Sequence, residues 1–144
     1  MTFQELQKKA PHAVESEWHQ HSNGGGWVEN TATVDETAVV AENARVYGKA
    51  EVSGRAVIFG NAMIADNAVV RGNAQVSGYA LVTDNAWVIE DARVSGYAEV
   101  RGNAVVAGNA TVLGKVFGKA KIMRTAKIFE NDRISGDSEV HGVS

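Results

Sequence analysis

The chain has 144 residues, a net charge of −3 at neutral pH and a hydrophobic content of 44%, which suits a single domain. It contains no cysteine, so disulfides and thiolate metal sites are excluded. The weak negative charge gives no basic surface for nucleic acid, and no apolar run is long enough to cross a membrane. We therefore expect a cytoplasmic protein without membrane or nucleic-acid partners; a component of a virus particle would have the same composition.

Residues 1–26 differ in pattern from the rest of the chain and predict an N-terminal helical cap. Thr2 and Glu5 have the spacing of a capping box at the start of a helix, and Pro11 ends that helix. Residues 13–21 predict a second short helix that turns Trp18 inward. The glycines that follow Asn23 predict a flexible hinge. We expect this segment to lie over the open end of the region that follows.

Residues 27–142 are built on a six-residue repeat. Every sixth residue from Val28 to Val112 is Val or Ile, and every sixth residue from Ala32 to Ala110 is Ala. In an extended segment, residues two apart share one face, so each Ala and the Val or Ile after it point inward together. Gly, Asp and Asn fill most of the remaining positions and favour corners. Each repeat therefore predicts a short strand and a turn, stacked into a solenoid.

The repeat is interrupted once. Val112 and Val116 are four residues apart instead of six, and the regular spacing resumes from Ile122 to Val140. A two-residue deletion therefore shortens one side of one coil, and the chain then tapers toward its C-terminus. This part of the chain carries a basic cluster, whose members are Lys115, Lys119, Lys121, Arg124 and Lys127.

The repeat unit, as in AVVRGN at residues 68–73, resembles the hexapeptide-repeat, left-handed parallel β-helix family. This resemblance implies an all-β, single-domain triangular solenoid of about six coils, with eighteen residues in each coil. The left hand comes from the resemblance alone. The corners in VRGNAQVSGYALV and the segment EWHQHSNGGGWV are most similar to those of small phage- and prophage-encoded hexapeptide-repeat proteins.

Many enzymes of the family are acyltransferases, which use a His as general base in a groove between subunits and interrupt the repeats with a long loop. This chain has no His between residues 22 and 140 and no such loop. His21 and His141 are the only candidates for a base that we single out, and His19 with His21 would supply just two zinc ligands. We therefore predict no catalytic residue, metal or cofactor. An acyltransferase-like enzyme with a His at a trimer interface stays the alternative.

One outward-facing stripe is apolar. Val69, Trp87 and Val105 lie eighteen residues apart, with Ile89 beside them, so the coils would stack them on one face. A contiguous exposed apolar stripe usually marks an interface, and Trp is a common anchor of such interfaces. Because the resemblance implies three-fold packing, we predict a homotrimer that associates through this stripe.

The segments that depart from the repeat are the candidates for contacts with another protein. Trp18 and Trp27 represent the N-terminal segment, and the basic cluster represents the C-terminal coils. The resulting prediction is a non-enzymatic phage- or prophage-type interaction protein, which oligomerises and binds a host macromolecule. A component of host defence is one candidate target. The sequence leaves open who the partner is, and whether the protein is a virion component or an intracellular inhibitor.

Overall fold

The computed structural model describes residues 1–142. It confirms an all-β parallel solenoid of about six coils with one short N-terminal α-helix. Each coil contributes strands to three sheets. From Thr33 onward these strands have two residues and pair in parallel with their equivalents in the neighbouring coils. Val76, for example, lies opposite Ile58 in the preceding coil and Val94 in the following one. The left hand of the coil stays a prediction from the resemblance.

We name the three sheets in the order in which the chain reaches them. Sheet one has eight strands: Trp18–Gln20, Trp27–Glu29, Arg45–Val46, Met63–Ile64, Leu81–Val82, Glu99–Val100, Lys115–Val116 and Arg133–Ile134. Sheet two has seven: Thr33–Val34, Glu51–Val52, Val69–Val70, Trp87–Val88, Val105–Val106, Lys121–Ile122 and Glu139–Val140. Sheet three has six: Val39–Val40, Val57–Ile58, Gln75–Val76, Arg93–Val94, Thr111–Val112 and Lys127–Ile128.

The repeated Val, Ile and Ala residues fill the interior of the prism. Ala74 and Val76 are both completely buried, as are their equivalents through the central coils. β-branched side chains suit this position because they pack well on a pleated surface. Burial of each such Val contributes about 1.5–3 kcal/mol relative to exposure. The repeated Val, Ile and Ala residues therefore form the core, and only outward-facing positions and corner residues are available for a function.

The corners use left-handed backbone conformations and, where they are acidic, side-chain hydrogen bonds. Gly78 has a φ of 65°, and a Cβ there would lie 2.8 Å from backbone atoms of Gly96 in the next coil. Asp66 and Asp84 adopt a φ of 59° at another corner. The Asp84 carboxylate accepts the backbone N–H of Gly102 at 2.9 Å. These acidic residues therefore satisfy backbone donors of the following coil.

The N-terminal segment begins as predicted and then differs. The helix spans Phe3–Lys9, and Thr2 with Glu5 forms the complete capping box. The predicted helix over residues 13–21 is wrong: a 3₁₀ turn at Glu15–Glu17 leads into the strand Trp18–Gln20. This strand pairs antiparallel with Trp27–Glu29. Pairing is favoured over helix formation here because Trp27–Glu29 would otherwise expose a row of backbone groups at the edge of sheet one.

Residues 23–26 form a hydrogen-bonded connection instead of the predicted flexible hinge. The Gly26 N–H donates to the Val40 carbonyl at 2.7 Å, and the Val40 N–H donates to the Asn23 carbonyl at 3.1 Å. These bonds lie at the first edge of sheet three, which has no earlier coil to pair with. The strand and this loop, and not the helix, therefore cover the N-terminal edges of sheets one and three.

Candidate functional sites

His21 is part of the N-terminal edge of the solenoid. Its side chain is 6% exposed, and its Nε2 lies 2.8 Å from the Ala38 carbonyl oxygen. A carbonyl oxygen only accepts, so Nε2 carries the proton and donates it. Ala38 directly precedes the first strand of sheet three. This nitrogen satisfies an edge carbonyl, which is a structural role and leaves it unavailable as a general base.

His141 lies at the other end, after the last strand of sheet two. Its Nε2 is 3.6 Å from a Glu139 carboxylate oxygen. Its Nδ1 is buried and has no hydrogen-bond partner among residues 1–142. One nitrogen therefore faces a carboxylate and the other is shielded from solvent. His21 and His141 lie in the first and last coils, and the structure does not bring them together.

Trp18 and Trp27 anchor the N-terminal segment. They are only 9% and 8% exposed and pack with Leu6, which is fully buried. The Trp27 Nε1 donates to the Met1 carbonyl at 2.7 Å, and the Trp18 ring lies 6.0 Å from the ring of Tyr47. Neither Trp ring is on the surface, so neither is positioned to contact another protein as predicted for this segment. Their contacts fix the segment on the outer side of sheet one.

Burial on sheet one changes the ionisation of two residues beneath the N-terminal segment. Desolvation raises the pKa of Tyr47, and the nearby Arg45 opposes this effect in part. Desolvation likewise lowers the pKa of Arg45. Both shifts report a partly dry contact between the segment and the first coils. Because both groups are enclosed by the chain's own residues, they mark a packing contact and not a catalytic site.

The five residues of the basic cluster do not share a surface. Their positions run around the perimeter of the last coils: Lys115 on sheet one, Lys119 at a corner, Lys121 on sheet two, Arg124 at the next corner and Lys127 on sheet three. Lys115 also forms an ion pair with Glu99, with Nζ and Oε2 3.1 Å apart. These residues are close together in the sequence, but successive repeats place them on different sides of the solenoid. No single acidic partner therefore contacts all five on one face.

The predicted apolar stripe is present on sheet two, and we call it the apolar patch: Val69, Trp87, Ile89 and Val105. Trp87 lies in register between Val69 and Val105 and is 39% exposed. The Arg71 guanidinium lies 4.7 Å from the centre of the Trp87 ring, a cation–π contact that holds the ring in place. Sequence spacing indicates the patch, but not this neighbour.

Charged residues border the patch along the same column. Glu51 pairs with Val69 at the N-terminal end, and Lys121 pairs with Val105 at the C-terminal end. The column therefore reads acidic, apolar, aromatic, apolar, basic. An apolar centre with a polar rim is the usual composition of a protein interface. Glu51 lies two eighteen-residue coils before Trp87, so its place in the column follows from the repeat spacing. Lys121 lies only sixteen residues after Val105, because the two-residue deletion falls between them, so a strict spacing of eighteen does not indicate it.

A polar groove of about 720 Å³ follows the corner between sheets one and two. It is lined by Gly48, Lys49, Asp66, Asn67, Asp84, Asn85, Gly102 and Asn103. The two Asp carboxylates there already accept backbone N–H groups of the next coil. Within residues 1–142, no three His, Cys, Asp or Glu side chains lie close enough to hold a metal ion. The groove is therefore explained by corner stacking.

No known protein family, no curated protein and no solved structure matches this chain. In the part of the chain that the structure describes, no helix is both long enough and apolar enough to span a bilayer. The surfaces described above, and foremost the apolar patch, are therefore the features of the molecule that indicate a function.

Proposed function

We propose that this protein is a non-enzymatic β-solenoid that self-associates through the apolar patch and acts by binding another macromolecule. The observation that carries the proposal is the position of Trp87. A large aromatic side chain, 39% exposed, lies at the centre of a flat column of in-register apolar residues. Exposed apolar surface of this kind is removed from water when a second surface covers it, and a central Trp is a frequent energetic anchor.

The charges around the patch favour a second copy of the chain as its occupant. Glu51 lies two coils before Trp87, and Lys121 lies two coils after it. If two copies face each other in antiparallel orientation about Trp87, each Glu51 lies opposite the partner's Lys121. The column is therefore self-complementary under a two-fold rotation. A trimer with parallel axes, as the resemblance implies, would use the same patch without this pairing.

The kind of further partner that we propose comes from the resemblance to hexapeptide-repeat proteins. The chain's corners are similar to those of phage- and prophage-encoded hexapeptide-repeat proteins, so we propose a host macromolecule as the target, with a host-defence component as one candidate. A pull-down from the host cytoplasm that compares the wild-type chain with Arg124→Glu and Lys127→Glu variants, neither of which lies in the column of the apolar patch, tests this. Specific loss of one captured protein from one variant would identify the contacting face; equal capture by all three chains would count against both faces.

The geometry of the two candidate bases supports the alternative function, acyl transfer, less well than it supports binding. His21 donates its Nε2 proton to a backbone carbonyl, and His141 has one nitrogen facing Glu139 and the other buried. A general base needs an accessible nitrogen within hydrogen-bond reach of its substrate. Titration with acetyl-CoA decides the point: micromolar binding that is lost in His21→Ala or His141→Ala would favour the enzyme.

Light scattering of purified variants tests the role of the patch. We expect the wild-type chain to be oligomeric at micromolar concentration and Trp87→Glu to be monomeric with an unchanged circular dichroism spectrum. Gln75→Glu is the matched control, because Gln75 occupies the same position of its repeat on sheet three and is exposed. A monomeric wild type, or an equal effect of the two substitutions, would contradict the proposal.

Charge exchange distinguishes the antiparallel pair from the trimer. Glu51→Lys and Lys121→Glu should each weaken association, since each places like charges opposite one another across the two-fold axis. The double variant restores opposite charges and should recover the dimer. If both single variants and the double variant keep the mass of a trimer, the antiparallel arrangement is wrong while the use of the patch stands.

A further inference from the structure

We propose that the shortened corner of the fifth coil is a carbohydrate-binding notch, in which one pyranose ring of a glycan stacks on Tyr97. This corner joins sheet three to sheet one. It lies away from the apolar patch on sheet two, so the inference does not depend on self-association. It follows from the two-residue deletion between Val112 and Val116. The proposed function does not involve the surface that this deletion changes.

The deletion removes two corner residues and leaves the strands in register. The Glu99 N–H donates to the Gly114 carbonyl at 3.1 Å, so Gly114 occupies in its coil the position that Ala98 has in the coil before. The residues that would stack on Gly96 and Tyr97 are therefore missing. The chain crosses directly from sheet three to sheet one at this level, behind the line of the other corners.

Two observations show that no backbone of the next coil lies above this corner, where only the Leu113 side chain approaches. A Cβ on Gly78 would meet the next coil's backbone at 2.8 Å, whereas a Cβ on Gly96 would meet nothing nearer than the Leu113 side chain at 3.8 Å. The Tyr79 N–H donates to the Gly96 carbonyl at 2.7 Å. The Tyr97 N–H, one coil later, has no hydrogen-bond partner among residues 1–142. The notch thus presents a backbone donor to solvent.

The floor of the notch is an aromatic ring. Tyr79 and Tyr97 stack with centroids 5.1 Å apart and planes at 5°. Tyr97 is 76% exposed and Tyr79 57%, because no third corner residue covers the second face of Tyr97. Strand layers repeat at about 4.8 Å, so one missing layer leaves about 10 Å between Tyr97 and the corner above. That height fits one puckered sugar ring in contact with both sides.

The roof of the notch is the complete corner of the sixth coil. The Asp132 N–H donates to the Phe129 carbonyl, and the Phe129 N–H donates to the Asp132 carboxylate, both at 2.9 Å. This closed turn presents Glu130 and Asn131 at its tip. Leu113 and the turn line a depression of about 450 Å³ on one side, and the turn lines another of about 270 Å³ with Lys115 and Arg133 on the other.

The groups around the notch match the chemistry of a neutral sugar. The negative face of the Tyr97 ring attracts the weakly positive C–H groups of a pyranose. Hydroxyls both donate and accept, and the notch offers the Tyr97 N–H as donor, Glu130 as acceptor and Asn131 as both. A nucleotide would also bring a ring, but its phosphates would meet the two carboxylates of Glu130 and Asp132 against one guanidinium, that of Arg133. The Lys115 ammonium is already paired with Glu99.

Calorimetry and ligand-observed NMR with triacetylchitotriose and maltotriose as probes test the notch. We expect at least one of the two to saturate the wild-type chain below about 10 mM. Tyr97→Ala should weaken that binding at least tenfold, and Tyr79→Ala, which leaves the open face of Tyr97 in place, less than threefold. Adenosine monophosphate is the competing probe. Its binding in preference to both sugars would overturn the assignment of the ligand class.

A filled variant separates the notch from the rest of the corner. Insertion of Gly-Tyr between Leu113 and Gly114 restores the eighteen-residue spacing and adds a third ring above Tyr97. We expect this variant to fold with a melting temperature at least equal to that of the wild type and to lose sugar binding. Saturation by neither trisaccharide, or equal binding to the filled variant, would overturn the proposal. A monomeric wild type would leave it standing, since the apolar patch takes no part in it.

Discussion

The Nε2 of His21 lies 2.8 Å from the carbonyl oxygen of Ala38. This hydrogen bond connects a side chain from the N-terminal segment to the first edge of sheet three, where no earlier coil supplies a backbone donor. Unpaired buried carbonyls are costly, and an exposed sheet edge invites pairing with another chain. The N-terminal segment thus protects one end of the solenoid through a side chain that the sequence suggests as a catalytic base.

Replacement of His21 by Ala is expected to destabilise the folded chain by about 2 kcal/mol, because the Ala38 carbonyl loses its donor in a buried setting. Urea unfolding followed by circular dichroism measures the change. His19→Ala is the matched control: its ring bonds Asn30 at 2.7 Å in an exposed position, and we expect a loss below about 0.5 kcal/mol. Equal losses in the two variants would contradict the capping role.

The repeat region could be predicted from sequence because its structure is encoded locally and repeatedly. Each Ala-x-Val unit points the same two side chains inward, and each corner carries residues that tolerate a positive φ. The N-terminal segment could not be predicted in the same way. The strand Trp18–Gln20 exists because Trp27–Glu29 offers it an unpaired edge. That cause is a tertiary contact and leaves no periodic signal in residues 13–21.

The candidate surfaces also differ in how well the sequence predicts them. The eighteen-residue spacing places Trp87 between Val69 and Val105, and the structure confirms this register. In contrast, the basic cluster is compact in the sequence and dispersed in space, because successive repeats face different sheets. The space above Gly96 depends on where a two-residue deletion falls relative to a corner, which requires the register of three successive coils.

Replacement of Val76 by Asp is expected to prevent folding. Val76 is fully buried in the closed core, and an unpaired carboxylate there costs about 4 kcal/mol or more. Gln75→Asp places the same charge one residue earlier on the exposed side of the strand and should leave the melting temperature within a few degrees. Thermal unfolding measures both. A soluble Val76→Asp chain with an unchanged melting temperature would show that the inward assignment is wrong.

Two glycine replacements test the geometry of the shortened corner without any ligand. Gly78 and Gly96 have φ values of 65° and 66°, so an Ala at either position carries a similar backbone strain of about 1–2 kcal/mol. Only Gly78→Ala also forces a Cβ to 2.8 Å from the next coil's backbone. We expect Gly78→Ala to lower the melting temperature clearly more than Gly96→Ala. Equal decreases would mean that the space above Gly96 is closed.

Alkaline pH is expected to loosen the N-terminal segment, because burial raises the pKa of Tyr47 above its ordinary value of 10.0. With the folded-state pKa raised, the unfolded chain loses this proton first as the pH increases. The contribution of Tyr47 is therefore complete below pH 10.0 and is lost as the pH rises through the folded-state value. The Trp18 ring, which lies 6.0 Å from the Tyr47 ring, reports the change, so fluorescence emission between about pH 8 and pH 12 should shift toward solvent-exposed Trp. Tyr47→Phe should remove that step, and Tyr79→Phe, at an exposed corner, should keep it. A step that persists in Tyr47→Phe would assign the transition to another group.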